Sequence, residues 1–170
     1  MRSAAAVIDK APFFPVEMAE SAIIRRGHEY WHALKGERAF PSREMITLRG
    51  LRDLAKYATL IKVIEGGRDY EFRLVGDVPV AAVGKNFRGR RLSEPDVLRV
   101  MESNYRRQFY DMVVRTAEPW LFKSRMVDHI GLNLPVHSET VYLPLGEGDV
   151  DHLLGFTVFA AEGAGGYAVS

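Results

Sequence analysis

The sequence predicts an α+β fold, with one five-stranded antiparallel sheet, helices on one face of the sheet and a helical extension at the N-terminus. Three observations support this prediction. Two β-branched, alternating segments flank Gly66-Gly67, a long amphipathic segment follows Ser93, and three further alternating segments then come without a helix between them. Helices that are separated in sequence from the strands in this way are expected to cover one face of the sheet.

The composition fits a globular protein and excludes several kinds of chemistry. The 170 residues are 47% apolar, carry a formal charge of +1 and include no cysteine. Disulfides, thiolate nucleophiles, cysteine-ligated zinc and iron–sulfur clusters are therefore excluded. No apolar run reaches the roughly 20 residues of a membrane span, and the first residues lack the apolar segment of a signal peptide. We therefore expect a cytoplasmic protein without a membrane span.

The first predicted helix runs from Pro15 to about Lys35. Its apolar side contains Ile23, Gly27, Tyr30, Trp31 and Leu34 at helical spacing. Either this side folds back onto the open face of the sheet, or it pairs with a second copy in a homodimer. Glycine inside a helix costs about 1 kcal/mol relative to alanine, so Gly27 predicts either close packing or a weak point.

A hairpin follows the helical extension. Its strands are Thr59–Glu65 and Tyr70–Val75, and Gly66-Gly67 supplies the positive φ angles that the turn needs. Alternation predicts that Tyr70, Phe72 and Leu74 share one face. A short helix then ends at Gly84, which suits a left-handed stop.

Ser93 begins the longest predicted helix, with Pro95 in its first turn and Asp96 at the spacing of a capping box. Its apolar stripe is Leu98, Met101, Tyr105, Phe109 and Met112. The residues expected to flank this stripe in water are Arg99, Glu102, Arg106 and Arg107. Glu118-Pro119 ends the helix, and the stripe is expected to lie on the sheet.

The last three predicted strands are Trp120–His129, His137–Leu145 and His152–Ala160, and Pro144 predicts that the second of them ends or bulges there. Val141, Leu143 and Leu145 share one face, as do Leu154, Phe156 and Val158. The whole chain is thus divided into a flexible tail at 1–14, a helical extension at 15–56, a main domain at 57–162 and a second flexible tail at 163–170.

This order of elements resembles a PAS domain, and more narrowly a family of small stand-alone bacterial PAS-like proteins. The matching motifs are Tyr30-Trp31, Pro41-Ser42-Arg43, Arg73–Gly76, Gly84–Gly89, Ala117-Glu118-Pro119 and Leu143–Leu145. The resemblance covers about residues 28–160. It implies a PAS-like fold with a sensory or interaction role, and it implies no functional residues, because most members have no established ligand.

Residues 28–32, His-Glu-Tyr-Trp-His, match the HExxH pattern of zinc hydrolases. On a helix His28 and His32 share a face and are weak candidates for metal ligands, with Glu29 as the general base. The competing interpretation is an amphipathic helix with two surface histidines. We favour the second, because the segment precedes the sheet that normally frames such a site.

A glycine-punctuated basic loop follows the short helix. Gly84–Arg88 is similar to the flavin-binding loop of light-sensing PAS domains, but Phe87 stands at the position of their reactive cysteine, so only a non-covalent flavin stays open. The candidate anion-binding residues are Lys85, Arg88, Arg90 and Arg91. A solvated loop explains the same charges. Nucleic acid is not expected, because no aromatic stacking surface lies beside the cluster.

Two further kinds of ligand site are considered. His129, His137 and His152, at predicted strand ends, are possible haem ligands, although surface histidines are commoner there. A helix laid across a curved sheet often leaves a ligand pocket. The pocket candidates are Phe72, Leu74, Phe87, Met101, Tyr105, Phe109, Phe122, Arg125, Tyr142 and Phe156.

We therefore expect a non-enzymatic sensory or signalling module that binds a small molecule or a signalling protein and acts in trans. The identity of any ligand or cofactor stays open. The alternatives are a small zinc-dependent hydrolase that uses the HEYWH motif, and a ligand-free interaction adaptor with a filled core.

Overall fold

The computed structural model describes residues 13–101, 103–126 and 136–161, with the backbone alone at 101, 103–104, 124–126, 136 and 161. Several predictions lie outside this part of the chain. They are His129, the side chains of Met101 and Arg125, and all but residues 13 and 14 of the two predicted tails.

Six antiparallel strands form one sheet in the order β1-β4-β5-β6-β2-β3. They are β1 (Phe13–Phe14), β2 (Ala58–Ile64), β3 (Asp69–Val75), β4 (Trp120–Met126), β5 (Val136–Glu147) and β6 (Asp149–Ala161). The α+β prediction is confirmed, with one strand more than expected. The extra strand is β1, whose Phe13 and Phe14 pair with Phe122 and Leu121 of β4. The predicted flexible tail is wrong at these two residues, because both have aromatic side chains that pack on the cores.

The described residues form the helices α1 (Ala22–Lys35), α2 (Leu48–Leu51), α3 (Asp77–Val83), α4 (Pro95–Met101) and α5 (Ser103–Thr116). Two helices, α4 and α5, replace the single long helix of the prediction. The expected capping box is absent as well. The Ser93 hydroxyl donates to Asp69, and the Asp96 carboxylate accepts from Arg90. No described helix has both the length and the apolar content needed to cross a membrane.

The sheet has an apolar core on each face. In the first core, α1 packs across β5 and β6. Its buried side chains include Ile23, Ile24, Trp31, Val141, Leu143, Leu154 and Phe156. In the second core, on the opposite face, α5 packs against the same strands and β4. Its buried side chains include Ile61, Tyr70, Phe72, Phe109, Tyr110, Val113, Tyr142 and Leu153. The N-terminal helix therefore folds back onto the open face of the sheet, as one of the two predicted alternatives required.

Gly27 lies where α1 comes closest to the sheet. A Cβ atom at this position would lie 2.4 Å from Cδ2 of Phe156, so the backbone approach requires glycine. The helix begins after Ser21, whose hydroxyl accepts a hydrogen bond from the N–H of Ile23 at 3.2 Å. It ends at Gly36, which has a φ of 55°. The close packing predicted at Gly27 is thus present.

A β-bulge in the β2–β3 hairpin changes the face of Leu74. Leu60 pairs with Leu74, but Ile61 pairs with Phe72, which leaves one extra residue on β3. Tyr70 and Phe72 therefore lie in the second core, whereas Leu74 packs against the first. The predicted shared face is wrong for Leu74, because strict alternation does not hold across a bulge.

Candidate functional site

The second core contains a pair of buried tyrosines between α5 and the sheet. Tyr110 comes from α5 and Tyr142 from β5, and both are fully buried. Their hydroxyl oxygens are 3.1 Å apart, and their rings meet edge to face with centroids separated by 4.8 Å. Arg106 precedes Tyr110 by one helical turn, so its guanidinium lies beside both hydroxyls. These three polar side chains lie together in the second core, and we call them the Arg–Tyr cluster.

The arginine of this cluster has an incomplete set of partners. The Nε of Arg106 is buried and has no hydrogen-bond partner among the described residues. No described carboxylate forms an ion pair with the side chain. Burial by itself would lower the pKa of Arg106, but the adjacent hydroxyls of Tyr110 and Tyr142 outweigh burial and raise it. Burial likewise raises the pKa of Tyr142, so both partners stay in the forms that donate hydrogen bonds.

Five of the predicted pocket residues meet in the second core. They are Phe72, Phe87, Phe109, Phe122 and Tyr142. The ring of Phe109 lies at the middle of this group, with its centroid 5.3 Å from Tyr142 and 5.5 Å from Phe122. Aromatic rings therefore surround the Arg–Tyr cluster on the side of β4 and β5.

The remaining described pocket candidates lie elsewhere. Phe156 lies in the first core under α1, because it is on the opposite face of β6 from Leu153. The bulge places Leu74 against the first core as well. Tyr105 is 42% exposed. The buried side of α5 is formed instead by Arg106, Phe109, Tyr110 and Val113. The sequence prediction therefore missed Arg106 and Tyr110, and it wrongly placed Arg106 in water.

The basic loop closes the outer edge of β3. The N–H of Gly89 donates to the carbonyl of Phe72 at 2.7 Å, and the N–H of Phe72 donates to the carbonyl of Arg90 at 3.0 Å. The guanidinium of Arg90 also bonds Glu94 and Asp96. Among the other anion-binding candidates, Arg91 lies 3.9 Å from Glu71, whereas Lys85 and Arg88 are exposed. Two of the four predicted anion ligands thus already have carboxylate partners.

The HEYWH motif lies on α1, where its tryptophan has a packing role. The Nε1 of Trp31 donates to the carbonyl of Pro144 on β5 at 2.8 Å. The His28 ring stacks on Trp31 and lies 6.3 Å from the His32 ring, centroid to centroid. Burial, and then the charge of His32, lower the pKa of His28. The part of the chain that the structure describes contains no group of three His, Cys, Asp or Glu side chains able to hold a metal.

Two of the predicted haem ligands lie at opposite ends of one hairpin. His137 pairs with Ala160 at the start of β5, whereas His152 pairs with Leu145 near the β5–β6 turn. The Nδ1 of His152 lies 2.7 Å from Asp151. These two histidines therefore cannot serve one site between the sheet and α5.

An open groove of about 490 Å³ lies outside both cores, between the α2 region and the end of β3. It is lined by Leu48, Arg52, Asp53, Ala55, Lys56, Leu74, Val75, Gly76 and Asp77. Leu74 is the one predicted pocket residue in this lining, so the groove is not the predicted pocket.

Comparison with known proteins gives similarities of two kinds, to a family model and to solved structures. The profile of the family described as "PAS domain" matches residues 19–158, which include α1 and both cores. Among solved structures, the PAS domain from Bordetella pertussis BvgS is similar, with 19% identity and a TM-score of 0.48. That similarity covers 69% of this chain and 88% of the other. None of the curated proteins matches the chain.

Proposed function

The chain belongs to the PAS domain family, and on this premise we propose that it binds a small molecule in the second core and signals through the position of α1. PAS domains are sensory or signalling modules, and that coarse role applies to this chain. The proposal concerns the finer question of how a signal would be received and passed on.

One observation supports the proposal above the others: β5 contacts α1 with one face and the Arg–Tyr cluster with the other. Tyr142 belongs to the second core, whereas its neighbours Val141 and Leu143 pack in the first core. Two residues further along, the carbonyl of Pro144 accepts the hydrogen bond from Trp31. A change at Tyr142 therefore reaches the contacts of α1 through one or two peptide units.

A ligand in the second core would act by shifting a population. It changes the position of α1 only if it binds more tightly to one arrangement of β5 than to the other. A protein partner would then recognise α1 in the favoured arrangement. The predicted cytoplasmic location, homodimer and absence of enzymatic activity remain predictions.

The test uses Trp31 as a reporter of α1. The chain has two tryptophans, so Trp120→Phe leaves Trp31 as the single one. Native mass spectrometry of the purified protein first shows whether a small molecule is bound, and in which oligomeric state. We expect Trp31 emission and hydrogen exchange of residues 22–35 to differ between the bound protein and the same protein after the small molecule is removed.

Two results would contradict the proposal. One is a bound small molecule whose removal leaves both Trp31 emission and exchange at 22–35 unchanged. The other is a protein that retains no small molecule and takes up none from a metabolite extract.

A further inference from the structure

We propose that the second core binds a monocarboxylate with an apolar body, and that Arg106 is the residue that binds the carboxylate. The inference rests on the proposed function, because both place the ligand in the second core. It adds the chemical class of the ligand and the side chain that selects it.

The first argument is the missing partner of Arg106. Its Nε is buried without a hydrogen-bond partner, and no described carboxylate pairs with it. A buried guanidinium without a counter-ion is costly, and carboxylates satisfy it best through two parallel hydrogen bonds. Tyr110 and Tyr142 lie beside the guanidinium, with their hydroxyl oxygens 3.1 Å apart, but a tyrosine hydroxyl does not replace a carboxylate as a counter-ion. A bound carboxylate would supply the absent charge and accept hydrogen bonds from the guanidinium and a tyrosine.

The second argument concerns the charge that this site accepts. Arg106 is the one cation of the Arg–Tyr cluster, because the next arginine of α5, Arg107, lies 3.6 Å from Asp69 and over the ring of Tyr70. A single guanidinium neutralises a single negative charge. A phosphate dianion would leave one negative charge uncompensated in an apolar core, which costs several kcal/mol. The site therefore favours a monocarboxylate over a phosphate.

The third argument concerns the body of the ligand. The rings of Phe109, Phe122 and Phe72 belong to the same core, so the side of the cluster towards these rings is apolar. Further polar groups on the ligand would lose their water without gaining partners. An aromatic or aliphatic acid matches this lining better than a hydroxylated or dicarboxylic one.

The test compares three probes with two controls on the full chain. The probes are sodium benzoate, 2-naphthoate and hexanoate, and the controls are benzamide, a neutral isostere of benzoate, and inorganic phosphate. By isothermal titration calorimetry we expect at least one carboxylate to bind, and neither control to do so. Arg106→Gln should weaken that binding at least about tenfold, since charged hydrogen bonds contribute this much. Arg115→Gln, at an exposed position of the same helix, should leave it unchanged.

A second measurement separates ligand binding from a structural role. If Arg106 lacks a counter-ion in the free protein, Arg106→Met should be at least as resistant to urea as the unmodified chain, and it should gain no stability from the carboxylate. A large loss of stability in the ligand-free Arg106→Met variant would overturn the proposal. So would failure of all three acids to bind, or equal binding of benzoate by Arg106→Gln.

These outcomes can be told apart from failure of the proposed function. A neutral small molecule found by native mass spectrometry, whose removal changes the exchange of α1, would overturn the carboxylate inference alone. A carboxylate that binds through Arg106 without any effect on Trp31 or α1 would support the inference and contradict the signalling mechanism.

Discussion

At the scale of single residues, Asp69 illustrates how one buried carboxylate joins three segments of the chain. It begins β3 and is 8% exposed. Its carboxylate accepts hydrogen bonds from the hydroxyl and N–H of Ser93 and from the N–H of Tyr70, and Arg107 of α5 lies 3.6 Å away. Burial alone would raise the pKa of Asp69, but these hydrogen bonds and the arginine charge lower it.

The lowered pKa of Asp69 predicts a specific dependence of stability on pH. An unfolded aspartate titrates near pH 3.9, so the contribution of Asp69 is complete above that pH and is lost as pH falls through the lower pKa of the folded state. We expect the urea midpoint to fall in this acidic window. Asp69→Asn should lower the midpoint at pH 6 and make the fall towards pH 3 shallower. Asp149→Asn, at the exposed first residue of β6, is the control. An equally steep fall in Asp69→Asn would disprove the assignment.

At the scale of elements, the contact between α1 and the sheet depends on a carboxylate from β5. Glu139 is fully buried, and its two oxygens accept hydrogen bonds from the N–H groups of Glu20 and Ser21 at 2.9 to 3.2 Å. These N–H groups precede the first turn of α1, where negative charge is favoured. Lys123 of β4 lies 3.7 Å from the same carboxylate. The start of α1 is therefore attached to the strand that also holds Tyr142.

We expect Glu139→Gln to loosen α1. The neutral amide keeps the shape of the side chain but loses the charged hydrogen bonds, each of which contributes about 1.5–3 kcal/mol. Urea unfolding should show this loss, and hydrogen exchange at 22–35 should increase more than exchange in α5. The matched control is Glu20→Gln, because the Glu20 side chain is 69% exposed and also lies near Lys123. Equal effects of the two substitutions would mean that Glu139 does not hold the helix.

Several elements follow from the sequence because their causes are local. Gly66-Gly67 adopt positive φ angles in the hairpin turn, and Gly84 ends α3 in the left-handed conformation, as predicted. The apolar side of α1 is also correct at Ile23, Gly27 and Trp31, since all are buried. Each of these features depends on a few neighbouring residues, so a pattern in the sequence suffices to predict it.

Other features depend on contacts between distant segments and could not be predicted in this way. The predicted apolar stripe of α5 includes Tyr105, but the buried side is rotated towards Arg106 and Tyr110, which lie beside the hydroxyl of Tyr142 on β5. A periodicity count treats arginine as a surface residue, so it could not identify Arg106. Nor does β5 end or bulge at Pro144, since Pro144 pairs with Leu153 and the irregularity lies one residue later. The candidate site was therefore located only in its aromatic part.

At the scale of the whole molecule, short segments pair with the two outer strands of the main sheet, β3 and β4, and cover their edges. Residues 87–92 pair with the free edge of β3 through the bonds of Phe72 and through the N–H of Leu92 to Tyr70. At the other end, β1 pairs with β4. Covered edges limit the pairing of one chain with another. Strand β1 also fills the second core, because the ring of Phe13 stacks on Phe109 with centroids 5.3 Å apart.

This double role of β1 leads to a prediction about the entire fold. Phe13→Ala removes a partly buried ring that contacts Phe109 and Phe122, and we expect a loss of about 2 kcal/mol, less than for a fully buried phenylalanine. The weakened strand should leave β4 free to pair between chains, so light scattering should show concentration-dependent association. Met18→Ala changes a side chain that is 51% exposed and should do neither. If Phe13→Ala unfolds at the same urea concentration as the unmodified chain, β1 does not stabilise the sheet. Loss of stability without association would instead limit β1 to packing, because the edge of β4 would then be protected by other means.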